Sequence, residues 1–465
     1  MSTTTADSVV GVTINILPDD VLLHIFHLIR AWRLSWEWHR LVHVCCRWRS
    51  VVFASPNFLD LRLVCGPRTR VQLTDIWPPL PIIIRDTEDL PMPEDYDFAA
   101  ATVHNNRVCE INLILLTSSQ LERLTSAMKE PFPALTNLML NTSGDYSRRV
   151  PSLPDGFLGG SSPLLQSLWL QSIPFPALPK LLLSSTSLVR LSLWSIPHSG
   201  YISPENIVTG LAKLSNLESL TIDFESPLSR PNRGSRHPLP PTRIVLPTLT
   251  RFEFKGVSEY LEDLVARVNT PLLNSICITF FNQLMFDLPQ LAHFMRRTTK
   301  FQARNEAYVN FGTYGVQVIP LTESVDEESR LKISCRELDW QLSSVAQVFT
   351  SFFPSIYMVE DLYIHGPRYL PSQWQDDIES AQWLEVLHPF TTVKNLYISE
   401  NSAQCIAPAL QELVGGRVTD ALPALESLFL EDFLPLRPVR EAIEQFVAAR
   451  QLLGRPVTVS RWNKT

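Results

Sequence analysis

One short pattern, L-x-x-L-x-L, recurs through most of this chain. It stands at Leu135/Leu138/Leu140, Leu165/Leu168/Leu170, Leu188/Leu191/Leu193 and Leu217/Leu220/Ile222. It continues at Leu249/Phe252/Phe254, Leu273/Ile276/Ile278, Val359/Leu362/Ile364, Val393/Leu396/Ile398 and Leu425/Leu428/Leu430, with an earlier version at Val108/Ile111/Leu113. With the middle residue of each full unit as anchor, neighbours lie 30, 23, 29, 32 and 24 residues apart, then 86, then 34 and 32. Self-similarity at such intervals constrains the fold strongly, because each unit has an apolar side that only its neighbours can cover. The L-x-L end fits a short strand with alternate residues buried, and the rest of each unit has room for a helix. The 86-residue gap is large enough to be three intervals, with degenerate units expected near Phe301 and Ile333.

Units of this length match leucine-rich repeats stacked into a parallel sheet. Helix signals fall in the intervals. Ser203-Pro204-Glu205 reads as an N-cap, a first-turn proline and a favourable acid. Ser258 should open EYLEDLVARV, Ser343-Ser344 should open VAQVFTSFF, and Gly415-Gly416 should end APALQELV. A last helix is expected over 439–453, and VTVSRW should close the sheet. In such a stack the leucines enter the core and their alternate neighbours face the open, concave side. Those neighbours include Met139, Trp169, Trp194, Tyr363, Tyr397 and Phe429. Strands about 4.8 Å apart would make Trp169 with Trp194, and Tyr363 with Tyr397 and Phe429, two contiguous aromatic patches and candidate substrate-binding surfaces. The competing reading is that these rings stack on one another for stability alone. Arg230, Arg233, Arg236 and Arg243, in the proline-rich insertion over 225–245, could meet an acidic or phosphorylated segment, or simply be solvated.

The N-terminal 60 residues follow a different rule. Pro18 followed by Asp19 and Asp20 is a helix start, and Val21, Leu22, Ile25, Phe26, Leu28 and Ile29 form an apolar stripe wider than one core face needs. A second helix is expected near Trp38 to Val44. A third carries Cys45, Trp48, Val51 and Val52 before Pro56. Three short helices bury too little surface to stand alone, and the surplus asks for a partner. The stretch resembles the F-box, the adaptor-binding motif of substrate receptors in SCF-type cullin–RING ubiquitin ligases. The resemblance lies in Leu17-Pro18, Val21-Leu22, Ile25-Phe26 and Leu28, then Val44-Cys45-x-Arg47-Trp48-Arg49 and Pro56. It implies that Leu17, Pro18, Val21, Leu22, Ile25, Phe26, Val44, Cys45 and Trp48 meet a Skp-type adaptor. Two positions depart from the pattern: Ala31 to Glu37 lengthens the first connection, and Phe58 stands where tryptophan is common. SPENIVTGL, FKGVSEYLEDLVARV, CRELDWQLSSVAQV, WLEVLHPF and ALQELVGGR extend the likeness to a large fungal set of F-box proteins with leucine-rich repeats.

Charge and composition narrow the partners. A net charge of −7 argues against nucleic acid as the main partner. No run of about 18 apolar residues offers a membrane span, and MSTTTADS has no signal-peptide character. Seven scattered cysteines fit a reducing cytoplasmic or nuclear compartment. His24, His27, His39 and His43 beside Cys45-Cys46 could suggest zinc, but the F-box likeness gives this stretch a packing role, so no metal and no cofactor are expected. Gly159-Gly160-Ser161-Ser162 does not fit a nucleophile elbow, and phosphate-loop and H-E-x-x-H motifs are missing, so no enzymatic activity is expected.

The expected fold is α/β: a three-helix F-box, then an irregular leucine-rich-repeat horseshoe with a parallel sheet on its concave face. The divisions are a disordered tail over 1–12, the F-box over 13–62, a linker with the first capping strands over 63–106, and repeats over 107–465. The expected function is a substrate receptor that binds its adaptor through the F-box and an unknown protein through the repeats. The alternatives are an adaptor-binding scaffold that does not promote ubiquitination, and a hydrolase built on the repeats.

Overall fold

A computed structural model describes residues 14–32, 38–67, 79–86, 89–142, 150–231, 243–283, 285–298, 305–320, 330–335, 338–351, 358–366, 380–413, 417, 419–431 and 437–462. Its contacts form two units. The first is Met1–Ser143 with Gly156–Ser162, and the second is Gly144–Asp155 with Pro163–Thr465.

The first unit opens with the expected helices: α1 (Asp19–Trp32), α2 (His39–Val42) and α3 (Cys46–Ala54). Asp19 and Asp20 lie in the first turn of α1, where the positive end of the helix dipole favours them. Cys45 is extended and caps α3, its thiol accepting from the Trp48 N–H at 3.4 Å. Leu22, Phe26, Trp38, Val42, Val51 and Val52 form one core with Leu59, Leu61 and Leu80. The helices therefore complete their core with residues flanking the first strand, which offsets the small burial available to three helices alone. The Trp38 indole reinforces this by donating to the Arg62 carbonyl at 2.8 Å. Strands β1 (Leu63–Cys65), β2 (Ile82–Arg85), β3 (Val108–Leu116) and β4 (Asn137–Thr142) pair in parallel, in that order.

The second unit carries β5 (Ser167–Gln171), β6 (Arg190–Ile196), β7 (Ser219–Phe224), β8 (Ile244–Val245), β9 (Arg251–Gly256), β10 (Val268–Asn269) and β11 (Ser275–Phe281). It continues with β12 (Glu306–Gly312), β13 (Gly315–Pro320), β14 (Arg330–Ser334), β15 (Asp361–His365), β16 (Asn395–Ile398), β17 (Ser427–Leu430) and β18 (Thr458–Arg461). Strands β8 and β10 pair separately. The others follow the order β5-β6-β7-β9-β11-β14-β13-β12-β15-β16-β17-β18. The anchors predicted from L-x-x-L-x-L sit opposite one another, as in Leu362, Leu396 and Leu428, and all three are buried. The protein is thus a mixed α/β chain with a mostly parallel sheet.

Among its described residues, the long gap, expected to span three intervals with degenerate units near Phe301 and Ile333, is not a plain run of such units. It holds a helix, Pro289–Arg297, and a meander in which β13 runs antiparallel to both β12 and β14. The turn between β12 and β13 is Thr313-Tyr314 set between Gly312 and Gly315. Gly315 has φ +152°, and a Cβ there would lie 2.2 Å from the Ile333 carbonyl oxygen, so glycine is required. Ile333 does lie on a strand, β14, whereas Phe301 lies outside the described residues.

Helices fill the remaining intervals. Ser203 caps Pro204–Leu211, accepting from Asn206 N–H at 3.3 Å, and Ser258 begins Ser258–Val265. Ser343 and Ser344 do not open a helix. They lie inside Leu338–Ser351, because the turn before them, Leu338 to Gln341, already folds onto the core through the buried Gln341. Gln341 donates to the Gly312 and Cys335 carbonyls at 2.9 and 2.8 Å. The final helix, Arg437–Leu452, precedes the expected closing strand β18. Gly415 and Gly416 lie outside the described residues.

Candidate interaction surfaces

The N-terminal residues expected to meet an adaptor divide by depth. Pro18, Val21 and Val44 are exposed, Val44 by 58%. Leu17, Ile25, Cys45 and Trp48 are half-buried. Leu22 and Phe26 have 0% exposure and belong to the core beneath, so they are corrected from contact residues to supports: a side chain with no free surface cannot touch a partner while the helices stay packed. Arg47 joins the two ends of this surface. Its guanidinium lies 2.6 Å from an Asp19 carboxylate oxygen and donates to the Leu17 carbonyl at 2.6 Å, tying the start of α3 to the start of α1. That tie brings Val44-Cys45 towards Leu17-Pro18. Ile16 (65%), Leu28 (60%) and Phe58 (43%) add exposed apolar surface on the same helices and their flanks. The Phe58 ring rests against His24 and His27, with centroids 5.6 and 4.9 Å apart. Trp48 lies on Phe26 at 4.7 Å, and its indole N–H is buried without a hydrogen-bond partner among the described residues.

On the second unit, alternation turns the residues between buried anchors to one face. Tyr363, Tyr397 and Phe429 occupy one rung across β15, β16 and β17. Their rings stack nearly parallel, with centroids 4.2 and 4.5 Å apart and tilts of 10° and 9°. The stack is longer than the sequence suggested. Tyr308 on β12 sits opposite Tyr363 and extends it at 4.0 Å and 8°. Trp462, just past β18, meets Tyr363 and Tyr397 edge-on at 5.8 and 5.5 Å, and His365 at 5.7 Å. All six rings are half-buried. The four stacked rings cover one another's faces, so their edges and hydroxyls point outward. Burial holds the Tyr363 hydroxyl well above its ordinary pKa, with Tyr308, Tyr397 and Glu306 adding to the effect. Tyr308 and Tyr397 are raised for the same leading reason.

Two residues earlier on each strand, another rung of this face carries Glu306, Asp361, Asn395, Ser427 and Thr458 in register. Asn395 donates its amide to Asp361 at 2.7 Å, and the Ser427 and Thr458 hydroxyls are 3.1 Å apart. Burial, and then the neighbouring Asp361 charge, raises the Glu306 pKa.

Trp169 and Trp194 do not form the second patch that was expected. The register sets Trp169 opposite Ser192 and Gln171 opposite Trp194. The two indoles thus stand on different rungs, roughly 6.6 Å apart along the strand direction. Both are half-buried, and the next strands carry the pair Asp223–Lys255 at 3.0 Å and Glu253 rather than further rings.

Within the insertion after β7, Arg230 donates to the Pro227 carbonyl at 2.8 Å and Arg243 to the Ala266 carbonyl at 3.0 Å, while Arg233 and Arg236 lie outside the described residues. Among the described residues, no group of three or more His, Cys, Asp or Glu side chains is arranged to hold a metal, and no helix is long and apolar enough to cross a membrane. His24 directs Nδ1 to the Asp20 carbonyl at 2.8 Å.

No family model matches the chain, and no curated protein matches it. Among solved structures, the leucine-rich repeat-containing protein LegL7 from Legionella pneumophila aligns at 14% identity. The alignment covers 77% of this chain and 96% of that one, with a TM-score of 0.30. At that score the likeness carries no argument. The repeat architecture rests on the strand register of this chain itself.

Proposed function

We propose that this protein is a non-catalytic substrate-recognition subunit of an SCF-type cullin–RING ubiquitin ligase. In this reading the N-terminal helices hold a Skp-type adaptor, the repeats hold a protein substrate, and both act in the cytoplasm or nucleus. The observation that carries it is the exposed apolar surface where α1 and α3 meet, with Pro18, Val21 and Val44 beside Leu17. These are residues of the F-box-like motif, and the packing of the three helices leaves them uncovered. An apolar surface left open beside a complete core marks an interaction site. Ubiquitin transfer would then be accelerated by proximity, the receptor raising the effective concentration of substrate lysine at a conjugating enzyme held elsewhere in the assembly.

The test is adaptor capture by the full chain. Leu17→Ala with Pro18→Ala, and separately Val44→Glu, should reduce capture of a purified Skp-type adaptor at least thirtyfold, about 2 kcal/mol. Far-UV circular dichroism should stay unchanged, since Val44 and Pro18 are exposed. Undiminished capture by both variants would remove the F-box reading. Capture without ubiquitin transfer in a reconstituted assembly would leave an adaptor-binding scaffold.

A further inference from the structure

The aromatic stack and the carboxylate rung lie on the same strands and the same face, and together they select a kind of ligand. Glu306 and Asp361 are directly opposite each other on adjacent parallel strands. Like charges in that position, about 4.8 Å apart strand to strand, destabilise a sheet unless something offsets them. Among the described residues neither carboxylate forms an ion pair. Lys394, which is nearby, is engaged by Glu360 at 2.9 Å. The basic residues Arg330 and Lys332 belong to β14, which the reversed strand β13 separates from β12. On β18, Val459 and Arg461 oppose the buried Leu428 and Leu430, which sets Arg461 on the face away from the carboxylates. Among the described residues, therefore, two half-buried carboxylates stand side by side with no cation between them. One rung away are the edges of Tyr308 and Tyr363.

Two strand residues span roughly 6.6 Å, a distance the aliphatic stem of a lysine or arginine can cross while its charged head reaches further. We propose that this face takes a cationic segment of a protein partner. An arginine or lysine lays its stem over the Tyr308 and Tyr363 ring edges and places its cation between Glu306 and Asp361. A carboxylate or phosphate presented there would meet two like charges, so acidic and phosphorylated segments are excluded from this position. The inference rests on the reading of the repeats as the substrate platform and names the chemistry of what they hold.

The full chain can be titrated with a dye-labelled synthetic peptide alternating arginine and glycine, followed by fluorescence anisotropy. Peptides of equal length with glutamine or glutamate in place of arginine serve as comparisons. The arginine peptide should bind at least tenfold more tightly than the glutamine peptide, and rising salt should erode that advantage. Glu306→Gln with Asp361→Asn should weaken the arginine peptide at least tenfold while raising, not lowering, the melting temperature of the free protein. Glu444→Gln, at an exposed helical acid paired with Arg440, should change neither. An arginine peptide that binds the double variant normally, or a glutamine peptide that binds equally well, overturns the proposal. Partner capture lost in Tyr397→Ala but intact in the double variant overturns the cation alone. Capture intact in both overturns the platform reading with it.

Discussion

One rule of alternation puts Trp169 with Trp194 and Tyr363 with Tyr397, yet only the second pair stacks. In both regions a large ring stands next to a buried repeat leucine, on the open face of neighbouring strands. The difference is where in the repeat the ring falls. Tyr363, Tyr397 and Phe429 all lie between the last two anchors, so the register stacks them. Trp194 follows its last anchor, Leu193, and the register gives it Gln171 as neighbour. Membership of adjacent repeats is therefore insufficient; rings meet only when they share a rung. The stacked rings shield one another, which turns a row of flat apolar faces into a row of edges and hydroxyls.

The largest test of this contrast is truncation at the centre of each group. Tyr397→Ala removes stacked contacts at 4.2 and 4.5 Å and should weaken partner capture about thirtyfold, ~2 kcal/mol. It should also cost roughly 1–2 kcal/mol of stability, since each aromatic pair contributes about 0.5–1.5 kcal/mol. Phe429→Ala, at the end of the stack, should cost about half as much stability. Trp169→Ala should change capture less than twofold. Thermal scans and pull-downs on the same preparations read all of these, and an equal loss at Trp169 would erase the distinction between the regions.

An alkaline titration gives a smaller effect. The stacked tyrosines ionise above their ordinary pKa of 10.0, because burial disfavours phenolate. The folded state thus holds protons that the unfolded chain releases near pH 10, and stability present below that pH is lost progressively above it. Tyr363→Phe should reduce the slope of melting temperature against pH in this window. Trp169→Phe, which removes no ionisable group, should leave it unchanged. The smallest expected effect is constructive: Ser192→Trp places an indole opposite Trp169 and should add roughly 0.2–1 kcal/mol. A new near-UV dichroic signal from the coupled rings would accompany it.

Much of this fold is legible in the amino-acid sequence. The anchor leucines located the parallel strands because period-2 burial and repeat spacing agree there. The first three helices announced themselves through Pro18, the acids after it and Pro56. What stayed hidden has physical reasons. Tyr308 sits between Ala307 and Val309, anchors too small to resemble a leucine repeat, although EAYVNFGTYGVQVIP alternates and turns at glycines as a hairpin does. In the sequence Trp462 reads only as the end of a closing strand, because no local pattern shows that its ring reaches back to β15 and β16. Leu22 and Phe26 share the F-box-like stripe with Val21, but a sequence stripe does not separate the side facing a partner from the side facing the chain's own core.

The reversed strand β13 changes how order can spread through the second unit. In a regular solenoid each repeat folds against the repeat before it, so cooperativity passes along the chain as along a row of dominoes. Here the spatial neighbour of β11 is β14, and that of β15 is β12, so on both sides of the meander the next tile in space is not the next in sequence. The repeats from β15 onward, with the aromatic stack, inherit their template from a local hairpin instead of from the array upstream. They are expected to open as a block of their own, with the meander as the seam at which the two parts of this unit exchange stability.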